Sequence, residues 1–276
     1  MAEDLVRRCR PLLGTFVEVA VPAGFEAGID KAFTAVTHVH ARMSFHEETS
    51  DLAALRRAPA GAAVAVDPDC VAVLRIAADL HTRSGGLFDV AIGADLVMSG
   101  FLPRPVDLGD TEWNGATSDI LILDDSHVAC ARPMLIDLGG IAKGYAVDRA
   151  IEALREAGVP KAIVNAGGDL RVLGEDPQPV HLREADGALS GAIELANAAM
   201  ASSSNRHMRQ PTSRGVMSPH LGRGRVPVLS DLAVTIIAGR CVIADAMTKI
   251  ALANPVLAGE MLLTLDGEIL AREERV

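Results

Sequence analysis

The chain is poor in aromatic residues, with one Trp, one Tyr and six Phe among 276 residues, too few for the stacking platforms that hold single-stranded nucleic acid. It is also short of positive charge. Lys and Arg number 26 against 36 Asp and Glu, a formal charge of −10, which argues against a general nucleic-acid or anionic-membrane surface and makes any phosphate site local. No stretch approaches the roughly 20 apolar residues of a membrane span. The start, Met1-Ala2-Glu3-Asp4, is acidic and runs on without a long apolar segment or cleavage pattern. The four cysteines, Cys9, Cys70, Cys130 and Cys241, form no Cys-x-x-Cys pair and lie mostly in apolar surroundings, which reads as reduced, buried thiols. A soluble, cytoplasmic protein with no stable membrane insertion is expected.

What is present is apolar bulk. Hydrophobic residues make up 49% of the chain, enough for one large core or two smaller ones sharing an interface. Disorder is excluded. No repeat, low-complexity tract or linker divides the chain, so one domain over residues 1–276 is expected.

Alternation over Phe16–Val21 predicts a strand with Glu18 facing solvent. Ile29, Phe33, Val36, His40 and Met43 then follow helical spacing, which makes His38 and His40 polar-face or core-edge residues rather than a metal pair. Val64–Val66 reads as a short strand, and Asp67-Pro68 caps a helix through His81 that ends at Ser84-Gly85-Gly86. Asp89 stands inside the apolar run Leu87–Gly93; by itself it reads as a cap or turn carboxylate. Pro103, Pro105, Gly109 and Gly115 mark irregular structure before a strand over Ile120–Leu123 and a tight turn at Asp124–His127. Further strands are expected at Ala162–Val164, Leu170–Leu173, Ala233–Ala238 and Met261–Leu265, with Ile269-Leu270 as partner to the last, and a helix over Val242–Leu252.

The central stretch Met134–Asp148 carries more chemistry. Met134–Ile136 suits a buried strand, Gly139 and Gly140 let backbone approach a ligand, and a helix begins at Ile141 and stops at Gly158 and Pro160. Lys143 falls in its first turn. Unpaired amides and the helix dipole there suit a phosphate, and the lysine adds a full charge. Asn165-Ala166-Gly167-Gly168-Asp169 reads either as a loop for close backbone approach or as plain hairpin turn chemistry. Ala198–Arg225 holds Arg206, Arg209, Arg214, Arg223 and Arg225; such a stretch is either a solvated loop or a phosphate clamp.

Several ordered motifs resemble the flavin transferases called the ApbE family, the FAD:protein FMN transferases. Met43-Ser44-Phe45-His46 with Ser50-Asp51-Leu52, Ser84-Gly85-Gly86-Leu87-Phe88-Asp89, the central stretch, Asn165–Asp169, Ala201–Ser204, Ser218-Pro219-His220 and Ala244-Asp245-Ala246-Met247 all follow the family's order. The likeness runs from Arg10 to Ala253, and the ordered set is far more specific than any one motif. It implies an α+β fold with mixed sheets and helices in two interwoven lobes and a flavin site between them. It also implies Mg²⁺-dependent transfer of FMN from FAD to a threonine hydroxyl of an acceptor flavoprotein, releasing AMP. Residue by residue, the resemblance implies flavin or adenine contacts at Met43, Leu87, Phe88, Asp89, Asp137, Lys143 and Ser203, metal contacts at the Gly140 carbonyl and Asp245, and His220 as base.

Two departures stand out. Where the family places a metal-assisting threonine four residues after the aspartate, this chain has Lys249, with Thr248 one place early. Thr248 is therefore the substitute metal contact, or else Lys249 sets its ammonium against Asp245 and competes with the metal. After His220 the sequence reads Leu221-Gly222-Arg223-Gly224-Arg225 and lacks the family's usual aspartate and threonine. Hydrolysis of FAD to FMN and AMP, and a catalytically weak FAD-binding protein, are the two alternative readings.

Overall fold

The computed structural model describes residues 5–107, 111–183, 189–206, 208–212 and 215–273; Met1–Asp4, Gly109 and Arg214, read above, lie outside them. The elements are, in order, β1 (Leu5–Leu12), β2 (Thr15–Pro22), α1 (Glu26–Met43), α2 (Asp51–Arg57), β3 (Val64–Ala65), α3 (Pro68–Arg83), α4 (Gly93–Met98), β4 (Ile120–Ile122), β5 (His127–Cys130), α5 (Ala142–Glu156), β6 (Ala162–Ala166), β7 (Asp169–Leu173), β8 (Gln178–Arg183), β9 (Leu189–Leu195), β10 (Ala199–Ser204), β11 (Gln210–Thr212), β12 (Gly215–Met217), β13 (Ala233–Ala238), α6 (Cys241–Ala253), α7 (Pro255–Leu262) and β14 (Gly267–Glu273). Seven strands form one sheet in the order β1-β2-β6-β7-β10-β13-β14, with every neighbouring pair antiparallel. Strands and helices therefore segregate as in an α+β fold.

One face of this sheet carries the helices. The β2 alternation turns Val17, Val19 and Val21 inward, where Ile29, Phe33 and Val36 of α1 join them in the core. Each such buried side chain contributes about 1.5–3 kcal/mol. Helix α5 packs on β6 and β7 and lies between α1 and α6. The opposite face is covered by the β8–β9 hairpin, whose Val180 and Leu195 join Leu170, Val172 and Met200 in a separate cluster. A small second sheet, β3-β5-β4, shares the main core with α3.

Three expectations need correction. Met134–Ile136 is buried but joins no sheet; an isolated bond from Gly93 N to Leu135 O at 2.9 Å engages it, another from Gly115 N reaches the preceding Pro133 O at 3.1 Å, and among the described residues no strand runs beside it in register. Met261–Leu265 is the end of α7 and a turn, because the Asn254 side chain accepts from Leu257 N at 3.1 Å and Pro255 opens a helix there. Its supposed partner, within β14, pairs with β13 instead. Cys9 is exposed on β1, while Cys70, Cys130 and Cys241 are buried. Strand β1, which follows no apolar alternation and carries no expectation from sequence, is fixed by its register against β2, from Leu5 opposite Pro22 to Leu12 opposite Thr15.

Candidate active site

A cavity of about 640 Å³ opens on the helix-bearing side, walled by the end of α1, the segment 87–92, the start of α5, β10 and the loop around His220. Its apolar wall includes Met43, Leu87 and Phe88, and its polar wall includes Asp89, Asp137, Lys143, Ser203, His220 and the backbone at Gly140. All nine of these were singled out from sequence, from segments as far apart as 43 and 220. Asp245 and Thr248, fully buried, lie beneath.

Turn chemistry builds the first wall. Ser84, buried at the end of α3, accepts from Phe88 N at 3.0 Å, and His81 Nδ1 meets Phe88 O at 2.8 Å. Asp89 Oδ1 accepts from Ala91 N at 2.8 Å, Thr117 N at 3.1 Å and Thr117 Oγ1 at 2.7 Å. This is the turn carboxylate that the residue alone suggested. Asp137 is pinned by its own amide, which donates to Val90 O at 2.8 Å. Its carboxylate accepts from Gly139 N at 3.3 Å, and burial raises its pKa against the pull of that bond and of His46 and Lys143.

The floor is a cluster of four charges. Gly167 and Gly168, with φ of +67° and +106°, make the tight turn that starts β7 at Asp169. Period two then points Asp169 and Arg171 at α5, where Asp169 pairs with Lys143 and Arg171 donates to Asp148 at 2.7 Å. Asp169 is the site residue to which the sequence reading gave no role. Helices α5 and α6 cross closely because residue 144 is Gly: a Cβ there would lie 2.3 Å from Cys241 O and 2.8 Å from Asp245 Cβ. Asp245 Oδ2 consequently accepts from Gly144 N at 3.0 Å and lies 3.6 Å from Lys143 Nζ. Its Oδ1 accepts from Lys249 Nζ at 2.7 Å.

These contacts set the charge states. Burial alone would raise Asp245, but Lys143, Lys249 and the bonds from Lys249 and Gly144 outweigh it and hold the acid down to about 2. Burial and the Asp245 charge raise Asp169 against the pull of Lys143 and Lys249. Burial would lower Lys143, but Asp245 and Asp169 hold it above the ordinary lysine range. The helix-start cradle is thus modified: the Gly144 amide is already capped by Asp245, and Ala142 N donates to Leu138 O at 2.8 Å, so Lys143 carries more of any anion binding than the free amides do.

Mg²⁺ does not fit this donor set. Both Asp245 oxygens are engaged, and Thr248 Oγ1 donates to Asp245 O at 2.7 Å while accepting from Lys249 Nζ at 2.9 Å. Magnesium requires oxygen ligands in near-octahedral array, whereas two ammonium groups flank this carboxylate. Thr248 is therefore a buried helix hydroxyl rather than a vacant ligand.

Among the described residues the arginines of the basic stretch do not line the cavity, although Arg225 Nη2 comes within 3.9 Å of Asp89 Oδ2 in its wall. Arg209 binds Ser230 O at 2.8 Å and Asp231, Arg223 reaches Ser84 O at 3.4 Å, and Arg225 reaches Asp95 Oδ2 at 3.2 Å and Gly115 O. They tie loops together, and neither they nor Arg206 line the cavity. His220 is held by a network not foreseen from sequence. Its N donates to Ser218 Oγ at 3.0 Å, Ser218 Oγ donates to Asn205 Oδ1 at 2.7 Å, Asn205 Nδ2 donates to Val228 O, and Val228 N returns to His220 O at 2.8 Å. Burial and Lys249 lower the imidazole to about 4, with Lys143 acting the same way and Asp245 opposing.

The model of the ApbE family matches residues 13–271. The chain belongs to the ApbE family. A FAD:protein FMN transferase of Rhodobacter capsulatus is 28% identical over 300 residues, covering 95% of this chain and 56% of that protein. Another, of Treponema pallidum, is 28% identical over 185 residues, covering 60% of this chain and 51% of that protein. The chain spans about half the length of these curated relatives. In fold, the crystal structure of the ApbE protein from Thermotoga maritima superposes with a TM-score of 0.84 at 22% identity, covering 98% of this chain and 97% of that one. The ApbE fold is therefore shared almost end to end. Among the described residues no helix is long and apolar enough to cross a membrane.

Proposed function

We propose that this chain transfers FMN from FAD to a threonine hydroxyl of an acceptor flavoprotein, releasing AMP. The observation that carries the reading is the single cavity lined by nine side chains and backbone groups drawn from five separated ApbE-like motifs. The names of the curated relatives support it. Met43, Leu87 and Phe88 would pack the flavin or adenine ring, Asp137 would accept a ring N–H, and Ser203 would add a hydroxyl. Asp89 shapes the wall that they share. The acceptor oxygen forms a bond to the FMN phosphorus while the bond from that phosphorus to the bridging oxygen breaks, and AMP departs with that oxygen. The hydroxyl proton passes to His220, neutral at pH 7 and hence able to accept it.

Charge on the pyrophosphate must be neutralised for attack. Lys143 at the start of α5 supplies that charge, together with Lys249, which also lines the cavity. No step is routed through Mg²⁺, because both Asp245 oxygens already face protein donors and the Lys249 ammonium sits against Oδ1. Residues 1–276 act here as one domain, a reading supported by the core that joins both sheets. The three buried thiols support a cytoplasmic location.

The test incubates the pure protein with FAD and a threonine-containing acceptor, with Mg²⁺ in one set and EDTA in another, and follows AMP and acceptor mass. AMP together with an acceptor heavier by one FMN is the expected result. AMP with an unmodified acceptor would establish hydrolysis instead, and bound FAD with no AMP would reduce the protein to a flavin carrier.

A further inference from the structure

We infer that the Lys249 ammonium occupies the place of a divalent cation in this site, so that the chain binds FAD without a metal. The inference rests on the flavin reading for its ligand but on the floor of the cavity for its geometry. Lys249 stands four residues after Asp245 on α6, which puts both on one helix face. Its Nζ lies 2.7 Å from Asp245 Oδ1 and 2.9 Å from Thr248 Oγ1. Its stem crosses Gly140: a Cβ at residue 140 would lie 3.3 Å from Lys249 Cγ and 3.5 Å from Lys249 Cε. The side chain thus fills the space between the Gly140 backbone and the Asp245 carboxylate, the two points that a bridging cation would join.

Charge balance points the same way. Lys143 and Lys249 face Asp169 and Asp245, two ammoniums against two carboxylates. The set is neutral before any ligand arrives, so a divalent ion could enter it only together with the pyrophosphate's own charge, whereas the Lys249 ammonium is already seated on the buried acid. A lysine ammonium has three N–H donors, of which two are directed at Asp245 and Thr248. The side chain is 18% exposed and lines the cavity, which leaves the third donor for a phosphate oxygen. A tethered monovalent cation therefore does two tasks of a metal: it holds Asp245 ionised, and it presents positive charge to the ligand. It cannot lend the second charge or additional coordination sites, so Lys143 must share the pyrophosphate.

The test uses the full chain and its Lys249→Thr variant. Mn²⁺, read by its electron paramagnetic resonance signal, probes the cation site directly, and flavin fluorescence gives the FAD affinity in EDTA and in excess Mg²⁺. Wild type is expected to leave the Mn²⁺ signal free and to show FAD affinities within roughly twofold of each other in the two buffers. Lys249→Thr is expected to take up Mn²⁺ and to bind FAD roughly tenfold more tightly with Mg²⁺ than with EDTA. Stoichiometric Mn²⁺ uptake by wild type, or a tenfold gain in its FAD affinity with Mg²⁺, would overturn the inference even if the variant failed to fold. If wild type bound no FAD in either buffer, the flavin reading would fall while the Mn²⁺ result still decided what fills the floor.

Discussion

His220 shows how much of a residue's chemistry lies in its surroundings. An imidazole on a loop is half protonated near pH 6.5 in water, but here burial and Lys249 lower it to about 4. The acid limb of kcat/KM for AMP release should therefore fall near pH 4, and a limb at 6.5 would show that His220 is not the titrating base. His220→Asn should lower kcat by about 10²- to 10⁴-fold while changing FAD affinity little; full turnover in that variant would remove His220 from the reaction. The linkage has a definite sign. Because the folded pKa lies below the unfolded one, the unfolded chain binds more protons between the two values, and this residue's contribution to stability is lost as pH falls from 6.5 towards 4. Bound FAD, being anionic, would shift the imidazole upward and bring its basicity nearer the working pH. The motif Ser218-Pro219-His220 was legible in the sequence. Asn205, which holds that loop through Ser218 and Val228, was not, since it lies 15 residues away with no pattern linking it to the histidine.

Elements decide whether such residues meet. The crossing of α5 and α6 at Gly144 delivers Lys143 and Asp245 to the same floor, and a methyl group at 144 would strike backbone at Cys241 O. Gly144→Ala should cost about 1–3 kcal/mol in urea unfolding and weaken FAD binding, because any relief separates the two helices at the site. A variant as stable as wild type would show that the crossing tolerates side chains. Long amphipathic helices were readable: the spacings in α1, α3, α5 and α6 specify both their existence and their buried faces. The failures follow a different logic. Met134–Ile136 has the apolar content of a strand but lacks a neighbour in register, and Met261–Leu265 has it too but follows the Asn254-Pro255 helix start. Conversely, β1 is a strand because β2 is beside it. Partner availability is a tertiary property, invisible to a local window. The same distinction governs the floor: the four-residue spacing of Asp245 and Lys249 is local and was legible, whereas the Lys143–Asp169 pair requires β7 to lie along α5.

At the scale of the molecule, the seven-stranded sheet separates two bodies of packing. The helix-bearing face carries the cavity and its charges, and the other face buries Leu170, Val172 and Met200 under the β8–β9 hairpin. Strand alternation enforces this division: on β7, Asp169 and Arg171 face α5 while Leu170 and Val172 face away. Stability and function should therefore be separable on the hairpin side, as they are not at Gly144. Leu195 is 3% exposed within that cluster, and Leu195→Ala should cost about 2–5 kcal/mol in urea unfolding through lost burial and the cavity left behind. FAD affinity, measured where the variant remains folded, should stay within roughly twofold of wild type, since a packing defect confined to one sheet face moves distant groups little. If affinity instead fell in step with stability, the hairpin would be coupled through the sheet to Asp169, and the floor would depend on both of its faces.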